Sequence, residues 1–254
     1  MFKSGGLKMS EKIKDYSPKY QEKWLPSRNL QYPKGIEVYY KPFSFGDLLK
    51  FNNSNLDEPE AYRFILEGVE VVGMDKLDLT FYDTIYLGWR RKTSSMGGNV
   101  LDAKSFCPNC DFRNVSILEL DKIDFGDSDI KALPVKCKIC DIELKFRFIT
   151  IRDYIDLYNK DKAKDILSIY AKSVSNKDFD EAYSILNNAT GNDIDKIGLL
   201  NSILYHGIKD LEVECAECKH KYNIKVADSS EVELLKPFRS KEDIIRDEIS
   251  FGEE

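Results

Sequence analysis

Three C-x2-C pairs constrain this chain more than any other feature of its sequence. They are Cys107/Cys110, Cys137/Cys140 and Cys215/Cys218. Cysteines at this spacing commonly bind a metal, which joins parts of the chain that are far apart in sequence. The N-terminal stretch "MFKSGGLKMSEKIKDYS" lacks the apolar region of a signal peptide, so we expect synthesis in a reducing compartment. Metal ligation is therefore favoured over disulfide bonds.

The first two pairs predict a zinc ribbon. Cys107/Cys110 and Cys137/Cys140 are separated by 26 residues, enough for two strands around an Asp-Gly-Asp turn region. Four thiolates in two tight turns form a closed, tetrahedral structural Zn²⁺ site with no position for water or substrate. The alternative is a set of buried thiols without a ligand.

The third pair has no obvious partner pair in the sequence with which to complete a four-ligand site. Cys215 and Cys218 resemble the first half of a second ribbon whose other half is missing. A Cys2His2 site with His206 and His220, the two histidines of the chain, is a second interpretation. A third is that Cys215/Cys218 share a metal with Cys137/Cys140, which would leave Cys107/Cys110 free.

The sequence also contains an internal repeat. "IEVYYKPFSFGDLL" matches "IELKFRFITIRDYI" 106 residues later, and Cys107/Cys110 match Cys215/Cys218 at an offset of 108. Each unit has an alternating strand, then a helix beginning at Ser44 or Thr150 with an aspartate three residues on, then further helices and a strand before the cysteines. Residues 232–245, "VELLKPFRSKEDII", repeat the strand and helix start a third time.

These patterns predict an α+β fold of two tandem strand-helix-strand repeats joined by a zinc-ribbon β-hairpin module. We expect five segments. They are a flexible N-terminal arm (1–23), a first repeat (24–106), the linking zinc ribbon (107–148), the second-repeat helices (149–214), and the third C-x2-C knuckle with a C-terminal strand-helix tail (215–254).

Composition and motifs argue against several classes of function. The net charge is −6, and the basic residues near the cysteines are matched by acidic ones, which disfavours nucleic acid as the main partner. Apolar runs such as "IGLLNSIL" are too short to span a bilayer. The sequence has neither a phosphate-binding glycine loop nor a Ser-His-Asp pattern, so we predict that the chain is not an enzyme.

The order of these motifs resembles a known family. "WLPSRNLQYPKGIEVYYKPFSFGDLLKF", the helix at Asp78 to Arg91, "CPNC" and "LPVKCKIC" followed by "IELKFRFITIRD" are similar to the baseplate hub and hub-assembly proteins of T4-type contractile-tailed bacteriophages. The resemblance covers residues 24–225 and rests on pattern and order. It does not itself imply zinc, which the cysteine spacing alone predicts.

The resemblance implies a non-enzymatic role in baseplate assembly through contacts with other baseplate and tail proteins. The expected locations are the host cytoplasm during assembly and the tail baseplate of the virion, and a homo-oligomer is left open. The alternative is a zinc-ribbon nucleic-acid-binding or transcription accessory protein. It would require a basic face around Lys136, Lys138, Lys145 and Arg147 that outweighs Asp141 and Glu143.

Overall fold

The computed structural model describes residues 18–53, 57–95, 100–119, 123–126 and 130–224. Within these residues the chain forms nine strands, seven α-helices and one 3₁₀ turn (Lys76–Asp78). The strands are β1 (Tyr20–Glu22), β2 (Glu37–Tyr40), β3 (Val69–Val72), β4 (Val100–Phe106), β5 (Arg113–Glu119), β6 (Val135–Ile139), β7 (Ile142–Phe146), β8 (Leu211–Glu214) and β9 (Lys221–Ile224). The helices are α1 (Phe45–Asn53), α2 (Glu58–Glu67), α3 (Phe81–Thr93), α4 (Ile151–Tyr158), α5 (Ile166–Ser173), α6 (Phe179–Asn187) and α7 (Asn192–Leu204).

The strands form small antiparallel sheets. One sheet has the order β1-β2-β3, and the other strands pair as the hairpins β4–β5, β6–β7 and β8–β9. The last part of the predicted N-terminal arm contributes β1, which pairs with β2. Residues 1–17 and the third sequence echo at 232–245 lie outside the described residues.

Local sequence sets where the helices begin. The Ser44 hydroxyl accepts the Asp47 backbone N–H at 3.1 Å, and the Asp47 carboxylate accepts the Ser44 N–H at 2.9 Å. Thr150 and Asp153 make the same reciprocal pair at the start of α4. These bonds satisfy backbone donors that have no partner within the helix. Both predicted helix starts are therefore confirmed.

Two apolar cores organise the chain. The first contains buried residues of β2, α2, α3 and α4, among them Leu66, Leu87 and Ile151. The second lies between the β6–β7 hairpin and helices α5, α6 and α7, with Phe146 and Leu186 among its buried members. The fold is therefore a mixed α and β structure, as the sequence predicted at that level.

The second half of the sequence is anchored on the first. The Ile151 N–H donates to the Leu79 carbonyl, and the Phe81 N–H donates to the Ile149 carbonyl, both at 3.0 Å. On the surface, Arg152 donates hydrogen bonds to Asp75 and Asp78. Helix α4 is thereby held against the first core, although it opens the second predicted repeat.

Candidate metal centre

The β4–β5 hairpin forms one tight cysteine turn. Cys107 follows β4, and its N–H donates to the Phe112 carbonyl at 3.0 Å. The Cys107 carbonyl accepts the Asp111 N–H at 2.9 Å. Asp111 has a φ of 55°, in the left-handed region that aspartate tolerates better than most residues. This turn holds Cys107 and Cys110 on the same side of the loop.

The β8–β9 hairpin repeats the same geometry 108 residues later. The Cys215 N–H donates to the His220 carbonyl at 2.9 Å, and the Cys215 carbonyl accepts the Lys219 N–H at 3.1 Å. Lys219 has a φ of 60°, matching Asp111. The two turns are thus equivalent in hydrogen bonding and in backbone conformation.

The two turns meet and bring four sulfurs together. The Sγ atoms of Cys107, Cys110, Cys215 and Cys218 all lie within 4.8 Å of one another. The Sγ distance is 3.6 Å from Cys107 to Cys218 and 3.7 Å from Cys110 to Cys215. Four sulfurs at 2.3 Å from a tetrahedral zinc would be about 3.8 Å apart. The spacing therefore fits a metal bound by four thiolates.

The thiols of this group perturb one another. Hydrogen bonds from the Asn109 amide and the His220 backbone N–H lower the pKa of Cys218 to about 6. For Cys110 the Phe112 backbone N–H lowers the pKa, but hydrogen bonds with the three neighbouring thiols and burial outweigh it and raise the pKa to about 12. Crowded thiols resist ionising together, and a bound cation removes that resistance. The donor set suits a thiolate-binding divalent metal.

Asn114 joins the two hairpins beside the sulfurs. This residue of β5 is 2% exposed. Its amide donates to the Glu214 carbonyl at 3.1 Å, and its side-chain oxygen accepts the Ala216 N–H at 3.2 Å. Glu214 and Ala216 flank Cys215, so Asn114 fixes Cys215 relative to Cys107 and Cys110. A second link joins the Ser105 and Tyr222 hydroxyls at 2.8 Å.

Cys137 and Cys140 are not brought to this group, so the structure does not assemble the four-cysteine ribbon expected from the sequence. Cys137 lies within β6 opposite Leu144, and Cys140 occupies the two-residue turn between Ile139 and Ile142. Cys140 and Asp141 both have positive φ, at 47° and 63°, as a tight hairpin turn requires. The strands β6 and β7 therefore pair continuously up to this turn. The hairpin does not form the kind of cysteine turn seen at Cys107–Cys110.

The surroundings of these two cysteines are those of packed side chains. Both pack against the second core, and the Cys140 thiol is 3.6 Å from the Ile185 carbonyl. The Asp193 carboxylate accepts the Cys140 N–H at 2.9 Å, which holds the turn against α7. Their role in the structure is therefore to pack the β6–β7 hairpin on its helices.

The two histidines are also apart from the sulfur group. His206 is buried between Tyr82 and Phe148, with Nδ1 2.8 Å from the Leu204 carbonyl and Nε2 3.2 Å from the Thr80 hydroxyl. His220 is exposed, and its ring stacks loosely with that of Tyr222. Among the described residues, the four cysteines are the one group of three or more potential ligands close enough to share a metal. The Cys2His2 interpretation is not formed.

The sequence contains one signal for the observed group, which the expected ribbon did not take into account. The offset of 108 makes Cys107/Cys110 and Cys215/Cys218 equivalent, and equivalent turns from two repeats can face each other. The short separation between Cys110 and Cys137 favoured the other pairing. Asn114 had no distinguishing pattern in the sequence, because its role depends on a tertiary contact.

Comparison with known proteins gives one family. A family described as "T4 bacteriophage base plate protein" matches residues 17–232, most of the chain. Neither the curated proteins nor the solved structures contain a match. Across the described residues, no helix combines the length and apolar character needed to cross a membrane.

Proposed function

Because the chain belongs to the T4 bacteriophage base plate protein family, we propose that it is a non-enzymatic structural or assembly protein of the baseplate hub in a contractile tail. The observation that carries this proposal is the family match from residue 17 to residue 232, which includes both cysteine turns and both cores. The proposed partners are other baseplate and tail proteins. The chain would bind these partners in the host cytoplasm during assembly and would remain in the virion as a baseplate component.

The ion proposed for the cysteine group is a structural Zn²⁺. Four thiolates form a closed site, and a closed tetrahedral site serves folding and not catalysis. Iron also accepts four thiolates, so the identity of the metal is a point for measurement. The residues proposed to bind it are Cys107, Cys110, Cys215 and Cys218.

The proposed zinc would join the two halves of the chain. Cys107 and Cys218 are 111 residues apart, so the ion would fix the β8–β9 hairpin on the β4–β5 hairpin across a long stretch of chain. Binding to such a site contributes on the order of 10 kcal/mol to the folded state, because the ligands are scattered in the unfolded chain. A rigid junction of this kind suits a protein that presents surfaces to several partners.

The nucleic-acid alternative has no comparable support. The basic face that this alternative requires around the β6–β7 hairpin is offset by acidic partners, because Lys138 pairs with Asp141 and Arg147 pairs with Asp153. A nucleic-acid surface would need a predominance of basic residues. The hub proposal therefore stands without a second candidate.

Co-purification from infected cells tests the proposed function. A tagged chain supplied during infection is expected to bring down baseplate proteins, and to appear in purified tails examined by mass spectrometry. Recovery carried by nucleic acid would fall steeply when the salt concentration is raised from about 50 to about 200 mM, which separates it from direct contact with baseplate proteins. Recovery of nucleic acid or polymerase subunits alone, lost at the higher salt, would reject the proposal in favour of the alternative.

A further inference from the structure

The β4–β5 hairpin has one face turned towards the β8–β9 hairpin, which we call its inner face. Successive side chains of a strand point to opposite faces, and residues directly opposite each other on paired strands share a face. Ser105 and Asn114 are such a pair, and both bond the second hairpin, Ser105 through the Tyr222 hydroxyl and Asn114 through the backbone beside Cys215. The inner face of the first hairpin is therefore polar.

The opposite, outer face of the β4–β5 hairpin is apolar and open. Phe106 lies opposite Arg113, and Val115 is two residues further along β5, so these three residues share the outer face. Phe106 is 69% exposed, Val115 is 55% exposed, and Arg113 is exposed as well. Diagonal neighbours of this kind are about 7–8 Å apart, within reach of an aromatic side chain. Phe106 and Val115 thus form one apolar patch with Arg113 beside it.

The β8–β9 hairpin has the reverse arrangement, although its turn and register are the same. Its inner face contains Val213, which is 7% exposed, and the half-buried Tyr222. Three exposed polar residues occupy the outer positions equivalent to those of the first hairpin, 108 residues further on: Glu214 for Phe106, Lys221 for Arg113 and Asn223 for Val115. This hairpin follows the usual pattern of apolar side chains within and polar ones outside.

The comparison of the two hairpins separates what the fold needs from what it does not. The second hairpin forms the same cysteine turn with a polar outer face, so the fold does not require Phe106 and Val115 on that face. Apolar side chains left in water contribute little to folding. Aromatic residues and arginine are enriched where proteins bind one another. The outer face of β4–β5 therefore has the character of a docking surface.

The charges on this face define what can bind it. In the second hairpin the cation Lys221 pairs with Glu212 at 3.1 Å. The position equivalent to Glu212 in the first hairpin is held by a second basic residue, Lys104. Within the part of the chain that the structure describes, Arg113 has no ion pair. A carboxylate supplied by a partner would take the place that Glu212 takes in the second hairpin.

A protein fits this surface better than a nucleic acid does. Nucleic-acid binding would need several basic residues without opposing acids. The same hairpin exposes Asp111 in its turn and Glu119 at the end of β5. A single arginine beside an apolar patch instead matches a segment that has one carboxylate next to an apolar side chain.

We propose that the outer face of the β4–β5 hairpin binds another baseplate protein through a segment that carries an apolar side chain next to a carboxylate. The inference rests on the proposed function, from which it takes the class of partner. The apolar side chain would cover Phe106 and Val115, and the carboxylate would accept hydrogen bonds from the Arg113 guanidinium, whose planar fork suits a carboxylate. The contacts of Asn114 hold the hairpin in place from its inner face, so little ordering is needed on binding.

Co-purification with paired alanine variants tests the surface. Tagged full-length chain is supplied during infection either unaltered, as Phe106→Ala/Val115→Ala, or as the matched control Glu214→Ala/Asn223→Ala at the equivalent positions of the second hairpin. Quantitative mass spectrometry should show recovery of baseplate proteins reduced about ten-fold or more by the first pair and unchanged by the second. Thermal unfolding of the two purified variants should match that of the unaltered chain, because the side chains removed are exposed.

Two substitutions of Arg113 test the charge. Arg113→Glu should reduce recovery as strongly as the alanine pair, whereas Arg113→Lys should reduce it less, because it keeps the positive charge and loses the planar fork. Equal recovery with Arg113→Glu and with the unaltered chain would overturn the acidic partner.

Photo-crosslinking identifies what occupies the face. A benzophenone amino acid replaces Val115 in the full-length chain, and the linked peptides are read by mass spectrometry after irradiation of infected cells. The expected link is to a baseplate protein, at a peptide with Asp or Glu beside an apolar residue. Links to a second copy of this chain, to its own residues or to nucleic acid would overturn the proposal.

The experiment separates failure of this inference from failure of the proposed function. If the unaltered chain recovers baseplate proteins and Phe106→Ala/Val115→Ala recovers them equally well, the docking surface is wrong and the proposed function stands. If the unaltered chain recovers none, the proposed function is wrong and this inference falls with it.

Discussion

At the scale of single residues, the site depends on groups that connect the two cysteine turns. Without such groups, the sulfurs would be held by two separate hairpins, each of which is stabilised only by its own hydrogen bonds. Asn114 removes that freedom because both polar atoms of its amide bond the backbone on either side of Cys215. A buried amide that loses such bonds leaves backbone groups unsatisfied, which costs about 1–3 kcal/mol.

Replacing Asn114 with alanine is expected to weaken metal binding ten- to a hundred-fold, the range typical of groups that orient metal ligands. Competition with a coloured chelator measures this affinity. The matched control is Asn223→Ala, because Asn223 is an exposed residue of β9 in the same pair of hairpins. An equal affinity in the two variants would show that Asn114 does not position Cys215.

His206 gives a second prediction at this scale, concerning pH. Burial lowers the pKa of its imidazole from the usual value of 6.5, although the nearby Asp83 carboxylate and the hydrogen bond to the Leu204 carbonyl oppose the shift. The unfolded chain then binds a proton more readily than the folded one. The free energy of unfolding should therefore fall as the pH decreases below about 6.5, by at most about 1.4 kcal/mol per pH unit.

Urea unfolding between pH 7.5 and 5 measures this dependence. The slope should be smaller in His206→Gln than in the unaltered protein. The carboxylate of Asp153 does not interfere, because its pKa is lowered from 3.8 and its contribution is lost only at more acidic pH. A slope as steep in His206→Gln as in the unaltered protein would refute the assignment, because the Cys218 thiol, whose pKa is lowered to about 6, adds the same slope to both.

At the scale of elements, the sequence predicted what is local. The helix starts at Ser44 and Thr150 were predictable because a cap and its partner lie three residues apart. The cysteine pairing was not, because it depends on which hairpins meet. Cys137 and Cys140 have the same spacing as the two pairs that meet, but the Cys140–Asp141 turn commits them to continuous strand pairing.

Removing each of the two equivalent helix caps should lower the free energy of unfolding by a different amount, because the caps differ in burial. Thr150 is buried and forms an isolated bridge with Thr80 of the first half, whereas Ser44 is exposed. Thr150→Ala should reduce the free energy of unfolding by about 2 kcal/mol and Ser44→Ala by about 0.5 kcal/mol, the two ends of the measured range for caps. Denaturant titration of both variants tests this ranking. Equal losses would mean that α4 is not anchored on the first half as the structure shows.

At the scale of the whole molecule, the two halves of the chain contact each other at three places. Helix α4 lies against the first core, Phe125 pairs with Ile208 between the halves, and the cysteine turns meet at their tips. None of these contacts is visible in local sequence patterns, which is why the expected ribbon used the nearer cysteines. The family resemblance was visible, because it depends on the order of motifs along the chain, and the family match confirms a T4-type baseplate protein.

The most direct test of the account is the zinc content of two double variants and the unaltered protein, read by native mass spectrometry. The proposed zinc site at the four clustered cysteines predicts one zinc per chain in the unaltered protein and in Cys137→Ser/Cys140→Ser. It predicts no bound zinc in Cys215→Ser/Cys218→Ser, because two thiolates do not complete the site. Loss of zinc from Cys137→Ser/Cys140→Ser with retention in Cys215→Ser/Cys218→Ser would contradict the metal centre described here.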